Sequence, residues 1–328
     1  MIVVLTGGTG GAKFVQGLAA VVPPRELTVI VNTGDDLTWW GLHVSPDLDS
    51  ITYALAGMLS RERGWGVEGD TFHCREAMRR MGEPGWFHLG DRDLATHLRR
   101  TELLSQSKTL SEVTVEIARR LGIDARIMPM SDDRVETRVL TANGELGFQE
   151  YFVRERYSLA VRGVRFEGAE RARPAAGVLE SIAQAEAVLI APSNPITSVG
   201  PILAVPGIRE ALRKTAAPVA AVSPIIGNAA VSGPAGELMR TQGLPVSIAG
   251  VARCYGDFLD LLIADERDLT QGGRVEGIAV RYTGTLMKSE ADKTTLAGSV
   301  LGFLRELMPK RAKNGRAGDP GLLEVAAS

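Results

Sequence analysis

The chain has 328 residues, 45% of them hydrophobic and 23% charged, the usage of an ordinary folded domain. With 37 Lys and Arg against 39 Asp and Glu, its formal net charge of -2 makes no electrostatic case for nucleic-acid binding. Cys74 and Cys254, its two cysteines, lack the paired spacing of a zinc or redox site, and no stretch reaches the ~18 apolar residues of a membrane span.

In chain order, Ile2 to Leu5 is a short apolar run ending in glycines and leading into Lys13 to Ala20, which predicts a buried strand, a tight turn and a helix. Leu27 to Val31 predicts a second buried strand. A βαβ start of this kind favours a parallel sheet covered on both faces. No basic segment precedes the first apolar run, so a cytoplasmic protein is expected.

From Pro46 the pattern is mostly helical. Pro46 suits a first helical position, and Thr109 with Glu112 has the spacing of a capping box. Four short segments follow, Ala125 to Met128, Glu136 to Thr141, Leu146 to Val153 and Leu159 to Phe166, read as an antiparallel group. Helix then alternates with strand again: Val178 to Ala185 before Ala187 to Ala191, Ile208 to Lys214 before Val219 to Val222, Ala235 to Gln242 before Val246 to Val251. Leu296 to Leu307 reads as a closing helix and Pro309 to Ser328 as a polar, unpacked tail. The expected fold is α/β: one domain over 1–308 with a Rossmann-like, mostly parallel sheet, a helical insertion over about 46–121 and a small antiparallel extension over about 125–170.

Gly7-Gly8-Thr9-Gly10-Gly11-Ala12-Lys13 lies between the first strand and helix, where backbone can approach a phosphate and the helix N-terminus offers free amides. It is neither a P-loop, since Ala precedes Lys13 and Phe follows it, nor a GxGxxG fingerprint, since Lys13 falls at the third glycine. A tight turn for strand–helix packing is the alternative. Asp35 and Asp36 leave the end of the second strand, and Asp47 and Asp49 open the next helix. Carboxylates gathered beside a phosphate loop suit Mg²⁺, with Asp35 and Asp49 the expected pair. Taken singly, a helix cap for Asp47 or Asp49 and a solvated turn for Asp35 and Asp36 are the more ordinary accounts, and only the shared placement near the glycine loop points to a metal.

Together with these, the segments Pro46 to Asp49, Leu89 to His97, Met130 to Asp133, Ala191 to Pro195 and Val222 to Gly227 resemble the 2-phospho-L-lactate transferases of coenzyme F-420 biosynthesis, called CofD in archaea and FbiA in mycobacteria. The resemblance runs from the start to about Leu307. It implies a Rossmann-like homodimer that needs Mg²⁺ and transfers a phospho-acid group from a guanosine diphosphate carrier to the deazaflavin alcohol FO, releasing GMP. It further implies that Asp49 and Arg92 bind FO and serve catalysis, and that Asp35 with Asp49 lies near the metal. Ser193-Asn194-Pro195 and the turn from Ser223 to Gly227 each follow an apolar strand and are expected to hold the nucleotide with the glycine loop. Asp91 is expected to cap the helix carrying Arg92 and His97.

Gly11-Ala12-Lys13 is closer to the mycobacterial type, whereas Thr285-Leu286-Met287 looks archaeal, which leaves phospholactate, phosphoenolpyruvate and phosphoglycerate all open as the donor acid. Outside the transferases, the same features suit a CofD-like, non-enzymatic regulator that binds a nucleotide sugar. An NAD-dependent oxidoreductase fits less well, because no catalytic His or Tyr-Lys arrangement accompanies the loop.

Overall fold

The computed structural model describes residues 1–270, 275 and 277–311. Its centre is a seven-stranded, wholly parallel sheet. In chain order the strands are β1 (Ile2–Thr6) and β2 (Leu27–Val31), separated by α1 (Gly8–Ala19). Next come the hairpin β3 (Leu37–Trp39) and β4 (Leu42–Val44) and the helices α2 (Pro46–Leu55), α3 (His73–Arg80), α4 (Asp93–Ser105) and α5 (Leu110–Arg120). β5 (Arg126–Pro129) returns to the sheet, and β6 (Glu136–Thr141), β7 (Gly144–Gly147) and β8 (Val161–Glu167) form a separate antiparallel one.

The second half supplies α6 (Val178–Gln184), β9 (Ala187–Ile190), α7 (Gly200–Ala204), α8 (Ile208–Lys214) and β10 (Val219–Val222). A two-residue ribbon, β11 (Ile225–Ile226) and β12 (Ala229–Ala230), precedes α9 (Ala235–Thr241), α10 (Ile248–Tyr255), β13 (Leu261–Asp265), β14 (Ala279–Thr283) and α11 (Glu290–Arg311). The sheet order is β14-β13-β10-β9-β1-β2-β5.

Period-2 alternation splits the core between the two faces of this sheet. Val3 and Leu5 of β1 join Val188 and Ile190 of β9 under α6, α8, α9 and α10, while Val4 joins Val29, Val31 and Leu189 under α1, α2 and α11. Each of these side chains is fully buried, which contributes about 1.5–3 kcal/mol apiece relative to exposure.

The α/β class, the parallel sheet, the helical insertion and the antiparallel extension are as expected; four local readings are not. The segment from Ala125 to Met128 belongs to the main sheet, because β5 runs parallel to β2 with Val29 opposite Ile127. The stretch from Leu146 to Val153 leaves β7 after Gly147 and coils into a π-helical turn, Glu150–Arg154. The segment from Val246 to Val251 opens α10, where the Ser247 hydroxyl accepts from the Gly250 N–H at 3.4 Å and starts a helix. Asp91 does not cap α4; it accepts from His73 N and Cys74 N at 2.9 Å each and so caps α3, while Asp70 takes the Arg92 and Asp93 amides at the start of α4. Of the expected tail, residues 309–311 continue α11 and 312–328 lie outside the described residues.

Candidate active site

Strands β1, β2 and β5 extend the sheet one way and β9, β10, β13 and β14 the other, so connectivity reverses between β1 and β9. Loops leaving neighbouring strands at such a reversal diverge and open a crevice at their carboxyl ends. A cleft of about 820 Å³ lies there, lined by the glycine loop after β1, by the turn after β9 and by α2. It is at the upper end of the range for ligand pockets, ~300–1,000 Å³.

The glycine loop is the first turn of α1 itself. A β-carbon on Gly7 would run into the Asp47 carboxylate, and Gly8 adopts φ +70°, so both positions exclude larger residues. The Gly8 N–H donates to Asp47 Oδ1 at 2.7 Å, and Asn32 Nδ2 donates to Asp47 Oδ2 at 2.9 Å. Asp47 therefore caps the helix preceding its own. The next first-turn amides, of Thr9 and Gly10, have no acceptor within the helix. Ser193 joins the two loops at the reversal point, donating from Oγ to the Gly7 carbonyl at 2.7 Å.

Asp35 is buried, and its Oδ1 has no hydrogen-bond partner. Burial, reinforced by the nearby Asp47 carboxylate and by Asp36, pushes Asp35 well above the usual carboxylate range. Burial also pushes Asp47 up to about 6, against the pull of its bonds to Asn32 and Gly8. Two carboxylates in one buried corner, one with an unpartnered oxygen, form an electrostatically unsatisfied site.

Asp49 lines the cleft with a different attachment. Its two oxygens are bracketed by both terminal nitrogens of buried Arg100, with Nη1 at 3.1 Å from Oδ2. Arg100 Nη1 also lies 3.3 Å from His97 Nδ1. His97 Nε2 lies 3.0 Å from Asp93 Oδ1. Tyr53 donates to the same oxygen at 2.6 Å. Of the expected metal pair, Asp35 thus neighbours Asp47, and Asp49 is held by Arg100.

The remaining expected residues divide. Gly7, Gly8, Thr9, Gly10, Lys13, Ser193, Asn194 and Ser223 line the cleft. Gly11 and Pro195 are buried behind it, and the Gly227 N–H donates to Asp268 at 2.7 Å outside it. Arg92 is exposed and turns its guanidinium to the Glu68 carbonyl at 3.3 Å, outside the lining. The sequence reading missed Arg63 and Trp65 on the loop before α3, Phe148 and Phe152 around the π-helical turn, and Asp47 as the partner of Asp35. The left-handed glycines 64, 66 and 69 were the available signal for a tightly folded loop there.

Fold and cleft define a Rossmann-like α/β protein with a phosphate-type loop at its switch point and an aromatic bay beside it. A profile of the family described as 2-phospho-L-lactate transferase CofD matches residues 2–279. The chain belongs to that family. It is 46% identical over 304 residues to a 2-phospho-L-lactate transferase of Methanosarcina acetivorans, covering 92% of this chain and 98% of the relative. It is 45% identical over 300 residues to a phosphoenolpyruvate transferase of Streptomyces griseus, covering 89% and 94%. Among solved structures, a UPF0052-family protein of Bacillus halodurans superposes with a TM-score of 0.62 at 15% identity, covering 92% of this chain and 98% of that one, a likeness of fold.

Proposed function

We propose that this chain is a magnesium-dependent transferase that passes a phosphorylated small-acid group from a guanosine diphosphate carrier to FO, with release of GMP. The observation that carries the reading is the junction of two unlike halves in one cleft. One set of lining groups is a helix-start glycine loop and Lys13; the other is Trp65, Phe87, Phe148 and Phe152. The first half suits a diphosphate, the second a planar ring system, and the unsatisfied Asp35–Asp47 corner adjoins the loop.

The donor set fits Mg²⁺, which takes one or two carboxylates and completes its shell with phosphate oxygens and water. Among the described residues no three Asp, Glu, His or Cys side chains converge as a metal-holding group, in keeping with a site that substrate oxygens complete. Asp35 and Asp47 would hold the ion. When bound, it would offset charge developing on the diphosphate.

Lys13 and the loop amides would orient the diphosphate, and Asp49, fixed by Arg100, would face the acceptor hydroxyl. That oxygen bonds to the acid-linked phosphorus as the phosphorus–oxygen bond to GMP breaks. Positioning carries most of such a transfer, and little is asked of a base.

The test is a fluorescence titration of FO with Mg²⁺, with and without GDP, followed by product mass. Saturable binding and a phospho-acid adduct of FO are expected; absence of FO binding under every condition would overturn the reading and favour the nucleotide-sugar regulator.

A further inference from the structure

Arg63 lines the cleft on the loop between α2 and α3. Its guanidinium carbon lies 5.3 Å from the Trp65 ring centroid and 5.2 Å from that of Phe72, which fixes the plane of the fork. One terminal nitrogen donates to the Val67 carbonyl at 2.9 Å. Its Nε is buried and unpartnered, and among the described residues no carboxylate lies within ion-pair distance. A guanidinium that lines a ligand cleft, stacked on two rings and without a carboxylate partner among the described residues, matches a planar, anionic acceptor group.

The loop's position narrows the choice. The adjoining residue, Gly64, rests on the glycine loop: a β-carbon built there would lie 3.8 Å from Lys13 Cε and 3.9 Å from Thr9 Cβ. Arg63 therefore stands one short span from the seat assigned to the diphosphate. A group bound at both places must carry a second anion close to its phosphorus.

We propose that Arg63 receives the carboxylate of the transferred phospho-acid, a group set one carbon beyond the ester oxygen on phosphorus in phospholactate and phosphoenolpyruvate. The inference rests on the transferase reading. It assigns to Arg63 the distinction between GDP joined to the acid and GDP itself, which lacks that carboxylate. It also explains why the residue carries no protein counter-ion.

The test compares wild type with Arg63→Met, which keeps the unbranched stem between the two rings, and with Arg63→Lys. Three titrations are made on each protein: GDP with Mg²⁺, GDP-linked lactate (lactate, two phosphoryl groups and guanosine) with Mg²⁺, and FO. In Arg63→Met, affinity for the acid-bearing donor is expected to fall about tenfold to hundredfold, the worth of a charge-assisted pair. GDP and FO affinities should stay within about twofold of wild type, and Arg63→Lys should recover part of the donor loss. Unchanged donor affinity overturns the assignment, as does an equal fall for GDP and donor. Loss confined to FO moves Arg63 to the acceptor and overturns it too. Failure of wild type to bind donor or FO overturns the transferase reading before any variant is compared.

Discussion

Asp35 carries the sharpest opposition of stability and function at the residue scale. It is held beside Asp47 and Asp36 in a buried corner where its own charge is disfavoured. Replacing it with Asn keeps the shape and removes the repulsion. Asp35→Asn should therefore raise the melting temperature of the ligand-free protein, by roughly 2–4 °C for each kcal/mol relieved. It should also lower transfer by roughly 10²-fold or more, the cost of removing one group that stabilises developing charge. Calorimetry paired with GMP release reads both effects; a melting temperature that fell would remove the repulsion argument. Asp35 was legible in the sequence because it follows an apolar strand in an α/β chain, a position fixed by topology. That it neighbours Asp47, and that Arg100 from α4 brackets Asp49 across 51 residues, was not, because both depend on long-range packing. Arg63 was equally hidden. It belongs to no motif, and only the path of its loop brings it over Lys13.

The helical insertion shows how one wall of the cleft is held at the element scale. Asp70 caps α4 and Asp91 caps α3, so each aspartate sits beside one helix and secures the start of the other. Between them Gly90 passes so close to Asp70 that a β-carbon would strike its carboxylate. Asp91 gains further hold from the Thr71 hydroxyl, whose bond brings its carboxyl below the usual range. Asp70→Ala and Asp91→Ala should each cost about 0.5–2 kcal/mol, the usual worth of a cap. Because both secure the segment carrying Arg63, Trp65 and Phe87, the same variants should raise KM for the acid-bearing donor as well as for the acceptor. A double-mutant cycle should show coupling, since the two carboxylates brace one pair of helices; strict additivity would show that they act separately. Helix positions here were readable from Pro46 and from the Thr109–Glu112 capping box, which the structure contains. The exchange of caps was not readable, because it depends on how two helices meet. β5 and α10 misled for a related reason: a short apolar run has no preferred partner until the fold supplies one.

Across the whole molecule, elements distant in sequence meet at the reversal of the sheet, and Ser193 ties β9 to the loop after β1 across 186 residues. A ligand bridging these elements stabilises the folded chain as a unit. GDP with Mg²⁺ at 100 times its Kd should add about 2.7 kcal/mol to unfolding free energy. GDP without the ion should add distinctly less, because Asp35 and Asp47 repel a diphosphate. Equal protection with and without Mg²⁺ would speak against those two carboxylates as its holders. The architecture was largely legible beforehand, since alternation of buried strands with helices admits few sheets. The order of the strands, and with it the place where the cleft opens, came from long-range pairing that no local pattern records.

The hydrogen bond from the Gly8 N–H to Asp47 has a consequence for selectivity in a crowded cell. A helix start is a general-purpose receptor for small anions, and inorganic phosphate is abundant. Here the first amide of the receptor, that of Gly8, is already engaged by a tethered anion of the protein's own, whose charge stands beside the amides of Thr9 and Gly10 and repels a bare oxyanion. Entry is left to a visitor that arrives with compensating positive charge, so the metal would act as a credential for the nucleotide, and bare phosphate would pass the site by.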